Sequence, residues 1–240
     1  MLDISWVDLL SVAVLFVAYL TRGICGFGSG LIAIPVLSLV IPIQMAVPLV
    51  VILDFLASAA QGGANRKLIQ FTEVGSLLPF ALIGVALGIT LFHSLDASSL
   101  KKALGGFVVL YAVYSLWSPE VKPVSRWWAA PAAASGGLIG TLFGTGGPFY
   151  VTYLKARGLD KNHFRATFAA IFLLDASLRI SGYFGTGIVT IELLRWLALG
   201  LPIMIVAMYL GGRLHTNIQP RTFTLAISVL LLCSGAGLMI

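Results

Sequence analysis

The chain has 240 residues, of which 59% are hydrophobic and 10% are charged, and its mean hydropathy is +1.00. Soluble domains carry about 25% charged residues, so this composition excludes an ordinary soluble protein and favours a polytopic membrane protein in a lipid bilayer. The formal net charge is +6, but the basic residues lie mostly in short gaps between apolar segments. That distribution is typical of membrane topology and argues against a nucleic-acid partner.

Apolar segments follow one another along the chain in two series. The first covers roughly 5–21, 31–41, 45–61, 72–92 and 98–117, and the second covers roughly 127–139, 148–154, 164–183, 190–212 and 222–240. In each series two short segments flank a glycine-rich break, and three segments long enough to cross a bilayer follow. The pattern predicts an all-α polytopic membrane protein.

The two series form an internal repeat. Aligned landmarks are the breaks Gly26–Gly30 and Phe143–Gly147, the acids Asp54 and Asp175, and the acids Glu73 and Glu192, with offsets between 117 and 123 residues. Random apolar sequence seldom aligns glycines and acids together. We therefore predict a first repeat at 1–117, a linker at 118–127 and a second repeat at 128–240.

Two topologies fit this repeat. If the two short segments of each half form one broken crossing, the halves run parallel; if they form a re-entrant hairpin, the halves are inverted. The hairpin topology places ten Lys and Arg on one side and three on the other, whereas the broken crossing divides them about eight to five. Because cytoplasmic loops retain Lys and Arg, we favour inverted repeats with about six crossings and two re-entrant hairpins, and both termini outside the cell membrane.

Both glycine-rich breaks have a composition typical of anion sites. Glycine allows tight turns and exposes N–H groups, and each break leads into the start of a short helix, where the helix dipole favours an anion. Close helix packing is the alternative, since small residues are common where membrane helices meet. The predicted substrate-binding positions are Gly26, Phe27, Gly28, Ser29 and Gly30 in the first break and Gly144, Thr145, Gly146, Gly147 and Pro148 in the second.

Two arginines lie in or beside apolar segments, where a charge costs about 2.5–3.5 kcal/mol or more. Arg22 ends the first short segment, and Arg179 follows Asp175 by four residues, so these two can pair on one helical face. Neither arginine is duplicated, because Ile139 and Ser58 stand at the aligned positions. The planar guanidinium suits an oxyanion, so we predict both as substrate-binding residues. The alternatives are a helix cap for Arg22 and a structural ion pair for Arg179.

The duplicated acids allow two interpretations. Asp54 and Asp175 could carry a coupling proton, or each could support the neighbouring glycine-rich loop by accepting backbone N–H bonds; as duplicated features they favour the scaffold role. Glu73 and Glu192 begin long segments, where an acid complements the helix dipole.

The sequence gives no support for an enzyme. His93, His163 and His215 have no metal-ligand spacing, and Cys25 is the only thiol near a break. We predict no catalytic residue, no metal and no cofactor. A membrane-embedded sulfur-transfer enzyme, which would need a reactive Cys25, is the weaker alternative.

The two motifs also carry a resemblance. Gly23–Leu37 and Gly136–Pro148 resemble the twin signatures of the TauE/SafE sulfite exporter family, and the resemblance extends over nearly the whole chain. It implies an inner-membrane permease that exports sulfur-containing anions such as sulfite, sulfoacetate or other sulfonates. We therefore expect a secondary transporter working by alternating access. An anion channel and a permease for a non-sulfur carboxylate are the alternatives, and the oligomeric state stays open.

Overall fold

The computed structural model describes residues 6–62, 66–117, 122–213 and 220–239. Within these ranges the chain folds into ten α-helices and two 3-10 helices, and it contains no β-strand. The predicted all-α membrane fold is confirmed. The linker residues 118–121 and His215 lie outside the described ranges, as does the side chain of Cys25.

Each predicted apolar segment corresponds to one helix. The first half contains α1 (Trp6–Cys25), α2 (Ser29–Leu37), α3 (Ile43–Gly62), α4 (Phe71–Ser94) and α5 (Ala97–Trp117). The second half contains α6 (Ala129–Phe143), α7 (Gly147–Ala156), α8 (Lys161–Gly185), α9 (Ile191–Arg213) and α10 (Pro220–Met239). The 3-10 helices are Arg66–Leu68 before α4 and Arg126–Trp128 before α6.

Helix lengths separate crossing helices from short ones. In the described part of the chain, five helices are long and apolar enough to cross a membrane: α1, α3, α4, α8 and α9. α5 has 21 residues but carries Lys101 and Lys102 in its first turns, which lowers its apolarity. α2 and α7 have 9 and 10 residues, too few for a bilayer core of about 30 Å at a rise of about 1.5 Å per residue.

The first helix is longer than predicted. We expect a short helix ending at Arg22, but α1 continues to Cys25 and reaches 20 residues. The reason is the role of Gly23, which lies inside the helix and allows close contact with α9. A Cβ at this position would lie 2.7 Å from the Met208 carbonyl oxygen and 3.0 Å from the Gly211 Cα.

The chain divides into two compact units, and each combines helices from both predicted repeats. The first unit is Met1–Val50, Asp96–Pro119 and Ile191–Ile240, and the second is Val51–Leu95 and Glu120–Thr190. The first unit therefore holds α1, α2, α5, α9 and α10, and the second holds α4, α6, α7 and α8. α3 contributes its first part to the first unit and the remainder to the second.

In the first unit, α1 packs against α9 and α5 packs against α10. Val12 of α1 and Pro202 of α9 line one groove, and Gly23 meets Gly211 further along both helices, so α1 and α9 run parallel.

The second helix pair of the first unit, α5 and α10, has the opposite relative direction. A Cβ at Gly105 would lie 3.2 Å from the Leu238 Cβ, whereas a Cβ at Gly235 would lie 2.7 Å from the Val108 Cγ2. The contact position therefore moves backward along α10 as it advances along α5. These two helices run antiparallel.

In the second unit, α4 packs against α6 and α8. A Cβ at Gly84 would lie 2.8 Å from the Leu138 backbone nitrogen, and one at Gly88 would lie 2.6 Å from the Thr141 Cβ. The contacts advance together along the two helices, so α4 and α6 run parallel. Glycine at both positions lets the helix backbones approach closely, as is common in membrane proteins.

α6 and α7 form a hairpin within the second unit. The Val124 N–H, which precedes α6, donates to the carbonyl oxygen of Ala156 at the end of α7, with an N–O distance of 3.1 Å. The Arg157 Nη1 donates to the Val124 carbonyl oxygen at 2.9 Å. The two ends of the α6–α7 segment therefore lie side by side.

Candidate functional site

The first break consists of a glycine-rich turn between α1 and α2. Gly26 and Gly28 have φ angles of 88° and 101°, a left-handed region that side chains disfavour and glycine adopts readily. Gly28 is the N-cap of α2, where it makes no side-chain cap bond. Phe27 is half-buried, whereas Ser29 and Gly30, the first residues of α2, are buried. The local fold of the break thus depends on glycine at two positions.

Arg22 bridges this break. Its side chain is buried, with 2% exposed, and its Nη1 donates to the Ser29 Oγ at 3.0 Å. The guanidinium therefore joins the last turn of α1 to the first turn of α2. This places Arg22 beside the predicted residues of the first break, all within the first unit.

The second break has the same plan. α6 ends at Phe143, Gly144 has a φ of 64°, and its N–H donates to the Gly140 carbonyl oxygen at 2.9 Å. α7 begins at Gly147, and Pro148 occupies its first turn, where its missing N–H costs no hydrogen bond. Gly144, Thr145, Gly146 and Pro148 are buried, and Gly147 is half-buried.

Arg179 of α8 lies against this second break. It is fully buried, forms an ion pair with Asp175, and its Nη2 donates to the Gly136 carbonyl oxygen of α6 at 3.3 Å. A Cβ at Gly146 would lie 3.1 Å from Nη2, and one at Gly140 would overlap the guanidinium itself. Glycine at position 140 therefore provides the space that Arg179 occupies. The i, i+4 spacing of Asp175 and Arg179 brings the two charges together as predicted.

Several buried donors at this point have no acceptor. Among the described residues, the Arg179 Nε and Nη1 and the Thr145 hydroxyl make no hydrogen bond. Leaving a buried donor unsatisfied costs about 1–3 kcal/mol, and more for a charged group. Each free N–H group of a guanidinium can donate a charge-assisted hydrogen bond to an oxygen of an oxyanion. The arrangement therefore has the donors that an oxyanion requires, within one unit and beside the start of α7.

Two tyrosines complete this cluster. Tyr150 of α7 lies close to both Asp175 and Arg179, although its hydroxyl makes no hydrogen bond with the described residues, and Tyr183 of α8 donates its hydroxyl to the Thr141 carbonyl oxygen at 2.7 Å. Both are fully buried. The sequence contains a signal for Tyr183, since it follows Arg179 by four residues on the same helical face. Tyr150 has no comparable signal, because it lies on another helix.

Asp54 and Asp175 differ in their setting. Asp54 is buried on the part of α3 that belongs to the second unit. Asp175 binds the Arg179 side chain, and among the described contacts it accepts no backbone N–H bond from the neighbouring break. For Asp175 the loop-supporting interpretation therefore lacks the bonds it requires.

A second polar cluster surrounds Glu73, at the start of α4. The Tyr153 hydroxyl donates to one carboxylate oxygen at 2.6 Å, and Arg157 and Arg126 contact the other at 3.1 Å and 3.3 Å. The helix-dipole explanation given for Glu73 is therefore insufficient, because the carboxylate also joins α4 to the end of α7 and the segment before α6. Its aligned residue, Glu192, is exposed.

The described residues contain no group of three or more His, Cys, Asp and Glu that could hold a metal ion. His163 pairs with Asp160, whose carboxylate caps α8 by accepting from the backbone N–H groups of Asn162 and His163. This pairing lowers the pKa of the Asp160 carboxyl below its usual value. These residues have a structural role at the start of α8.

Comparison with known proteins shows the family to which the chain belongs. The family model described as sulfite exporter TauE/SafE matches residues 11–238. The chain belongs to the TauE/SafE sulfite exporter family. This TauE/SafE chain is also 30% identical over 200 residues to the probable inner membrane transporter protein TsaS of Comamonas testosteroni. The alignment covers 79% of this chain and 81% of the relative. No solved structure matches it.

The family and the helices together define the broad class of the protein. A TauE/SafE chain with five helices able to cross a membrane is a multi-pass membrane protein of an anion-transporter family. The resemblance stated from the two glycine-rich motifs is confirmed. Both motifs lie inside the matched range, as do Arg22, Arg179, Asp54 and Asp175.

Proposed function

We propose that this protein is an inner-membrane secondary transporter that exports sulfur-containing anions, such as sulfite, sulfoacetate and other sulfonates, by alternating access. The observation that carries the proposal is the set of acceptor-free donors at the second break, the Arg179 Nε and Nη1 with the Thr145 hydroxyl. Sulfite and sulfonate groups each present three oxygens, which can accept charge-assisted hydrogen bonds from donors of this kind. The inner-membrane location is supported by the name of the Comamonas relative.

The first break is proposed as the other anion-contacting segment of the protein. Arg22 and Ser29 lie there beside Gly26, Phe27, Gly28 and Gly30, at the start of buried helix α2. The unpaired N–H groups and the dipole of a helix start favour an anion. Asp54 is proposed as a supporting residue, since duplicated features fit a scaffold role.

We also propose inverted repeats, with both termini outside. Two observations support this topology. α6 and α7 form a hairpin whose ends meet at Val124 and Ala156. α5 and α10, which end the two halves, run antiparallel. Inverted repeats with short helices are typical of secondary transporters.

Flux into proteoliposomes tests the proposed function. We expect saturable uptake with counterflow for sulfite, methanesulfonate or sulfoacetate, and much weaker uptake of acetate. Arg179→Lys keeps the charge but loses the planar fork, and a charge-assisted hydrogen bond contributes about 1.5–3 kcal/mol. We therefore expect flux to fall about tenfold or more. Arg22→Gln should also reduce flux.

Arg195→Gln is the matched control, because Arg195 is exposed on α9, and it should transport like the wild type. Unchanged flux in Arg179→Lys would contradict the anion site. Non-saturable flux without counterflow would indicate a channel, and a preference for acetate would indicate a carboxylate permease.

A further inference from the structure

The charges of the second break are balanced in the structure. Asp175 and Arg179 are both buried, with 1% and 0% exposed, and each neutralises the other. Removing one partner from a buried ion pair is strongly destabilising, because an uncompensated charge is left behind. The pair can therefore be disrupted cheaply only if a new charge replaces the one that is lost.

An anion bound at Arg179 would supply such a replacement charge. Arg179 would then face two negative groups, the anion and the Asp175 carboxylate, and the buried site would carry an excess negative charge. Protonation of Asp175 removes that excess, because the carboxylate becomes a neutral acid while the anion takes its place on the guanidinium. We propose that Asp175 is the proton-binding site of the transporter and that it takes up one proton when an anion replaces it on Arg179.

The other groups near Asp175 do not compete for this role. Tyr183 on its own helix and Tyr150 on α7 interact with the pair, and tyrosine is neutral at physiological pH. Of the remaining elements packed on α8, α4 carries Glu73, which is bound to Arg126, Tyr153 and Arg157. The exposed titratable or charged residues on the elements packed against α8 are Arg66 and Lys67 before α4, His93 of α4 and Lys155 of α7.

The proposal rests on the proposed anion transport and adds a stoichiometry to it. The empty site holds one positive and one negative charge. The loaded site holds Arg179, a neutral Asp175 and the anion, so a monovalent anion leaves the site neutral again. A monovalent sulfonate should therefore move with one proton and no net charge, whereas a divalent anion should move with one proton and one net negative charge.

Proteoliposomes with an internal pH dye and a potential set by potassium and valinomycin test this inference. For methanesulfonate we expect one proton per anion and a flux that does not respond to the membrane potential. For sulfoacetate we expect one proton per anion and a flux that does respond. Anion flux without proton movement in the wild type would overturn the coupling and leave the proposed function intact. Absence of flux for every anion would overturn the proposed function itself.

The variant Asp175→Asn imitates the protonated acid. Whatever anion flux this variant retains should proceed without proton movement, and its methanesulfonate flux should be sensitive to the membrane potential. Glu192→Gln is the control, because Glu192 is exposed, and its coupling should equal that of the wild type. Coupling that persists in Asp175→Asn would assign the proton to another group and overturn the inference.

A measurement on the wild type makes the test independent of whether the variant folds. Calorimetric titration of the detergent-solubilised protein with methanesulfonate, in two buffers of different ionisation enthalpy, gives the number of protons taken up on binding. We expect about one proton to be taken up per anion bound, because the anion displaces the Asp175 carboxylate from its ion pair with Arg179. Binding without proton uptake would contradict the inference.

Discussion

The position of the Arg179 guanidinium depends on a residue that has no side chain. Gly140 lies on α6, directly against the guanidinium, and a Cβ there would overlap it. Overpacking a filled interior costs about 1–3 kcal/mol, and here the displaced group is also one half of a buried ion pair. Glycine at position 140 is therefore part of the proposed anion site, because it leaves the space that the Arg179 guanidinium occupies.

Gly140→Ala should lower anion flux at least tenfold, because Arg179 must move away from both Gly136 and Asp175. Proteoliposome flux with the wild-type substrate measures the effect. The control is Gly75→Ala on α4, where a Cβ would meet nothing within 4 Å. Equal flux in Gly140→Ala and wild type would show that the observed position of Arg179 does not matter for transport.

At the residue level the sequence predicts contacts within one helix and misses those between helices. Asp175 and Arg179 are four residues apart, so helix geometry alone brings them together. Tyr150 joins the same cluster from α7, and Arg157 joins Glu73 from the end of that helix. Their positions depend on how α7 turns back against α6, and residue spacing does not contain that information.

Among the elements, the short helix α7 is fixed at both ends. Its start follows the glycine turn at Gly144, and its end is bound through Arg157 and Tyr153 to Glu73 of α4. A helix of 10 residues has little stability on its own, since isolated helices below about 12–15 residues are marginal. Tertiary contacts at its two ends must therefore hold it in place.

Glu73→Gln tests how much the contacts between Glu73 and the end of α7 contribute to the stability of the protein. The substitution keeps the size of the side chain but removes the charge that binds Arg157 and Arg126. We expect the free energy of unfolding to fall by about 1–3 kcal/mol, the cost of unsatisfied buried groups, seen as a lower midpoint of thermal unfolding in detergent. Glu192→Gln, at the aligned exposed position, should unfold like the wild type. Equal midpoints for both variants would contradict the role of the cluster.

The helices themselves were predictable, because long apolar runs in a bilayer have few alternatives to helix. The extension of α1 past Arg22 was not. Gly23 looks like a helix end in the sequence, yet it lies inside α1 because the Gly211 backbone of α9 approaches it. A contact between residues so far apart in the chain overrides the local preference of glycine.

For the whole molecule, the uneven distribution of Lys and Arg and the hydrogen bond between Val124 and Ala156 favour the same topology. The hairpin places Arg126 and Arg157 on one side of the membrane, as the positive-inside rule expects for cytoplasmic residues. Sequence alone could favour this topology over the broken crossing only by counting charges. The backbone bond adds a geometric argument that is independent of that count.

Single cysteines introduced into a variant with Cys25→Ser and Cys233→Ser test the topology. With inverted repeats, Ser125→Cys and Asn162→Cys should both lie inside, and Ser98→Cys should lie outside. A membrane-impermeant maleimide should therefore label only Ser98→Cys in intact cells and all three after permeabilisation. All three positions are exposed. A broken crossing requires Ser125→Cys and Asn162→Cys to lie on opposite sides, so different labelling of these two would contradict the inverted topology.

The glycine contact between α1 and α9 also has a consequence for synthesis of the chain. Gly23 leaves the ribosome about 190 residues before its partner Gly211, which at about 5–20 residues per second corresponds to a delay of roughly 10–40 s. During that time α1 is in the membrane without its closest neighbour. The contact of α4 with α6 forms much earlier, since Gly88 and Thr141 are only about 50 residues apart. Assembly should therefore begin around α4 and α6, and the nascent N-terminal helix should depend on lipid or insertion factors until α9 emerges.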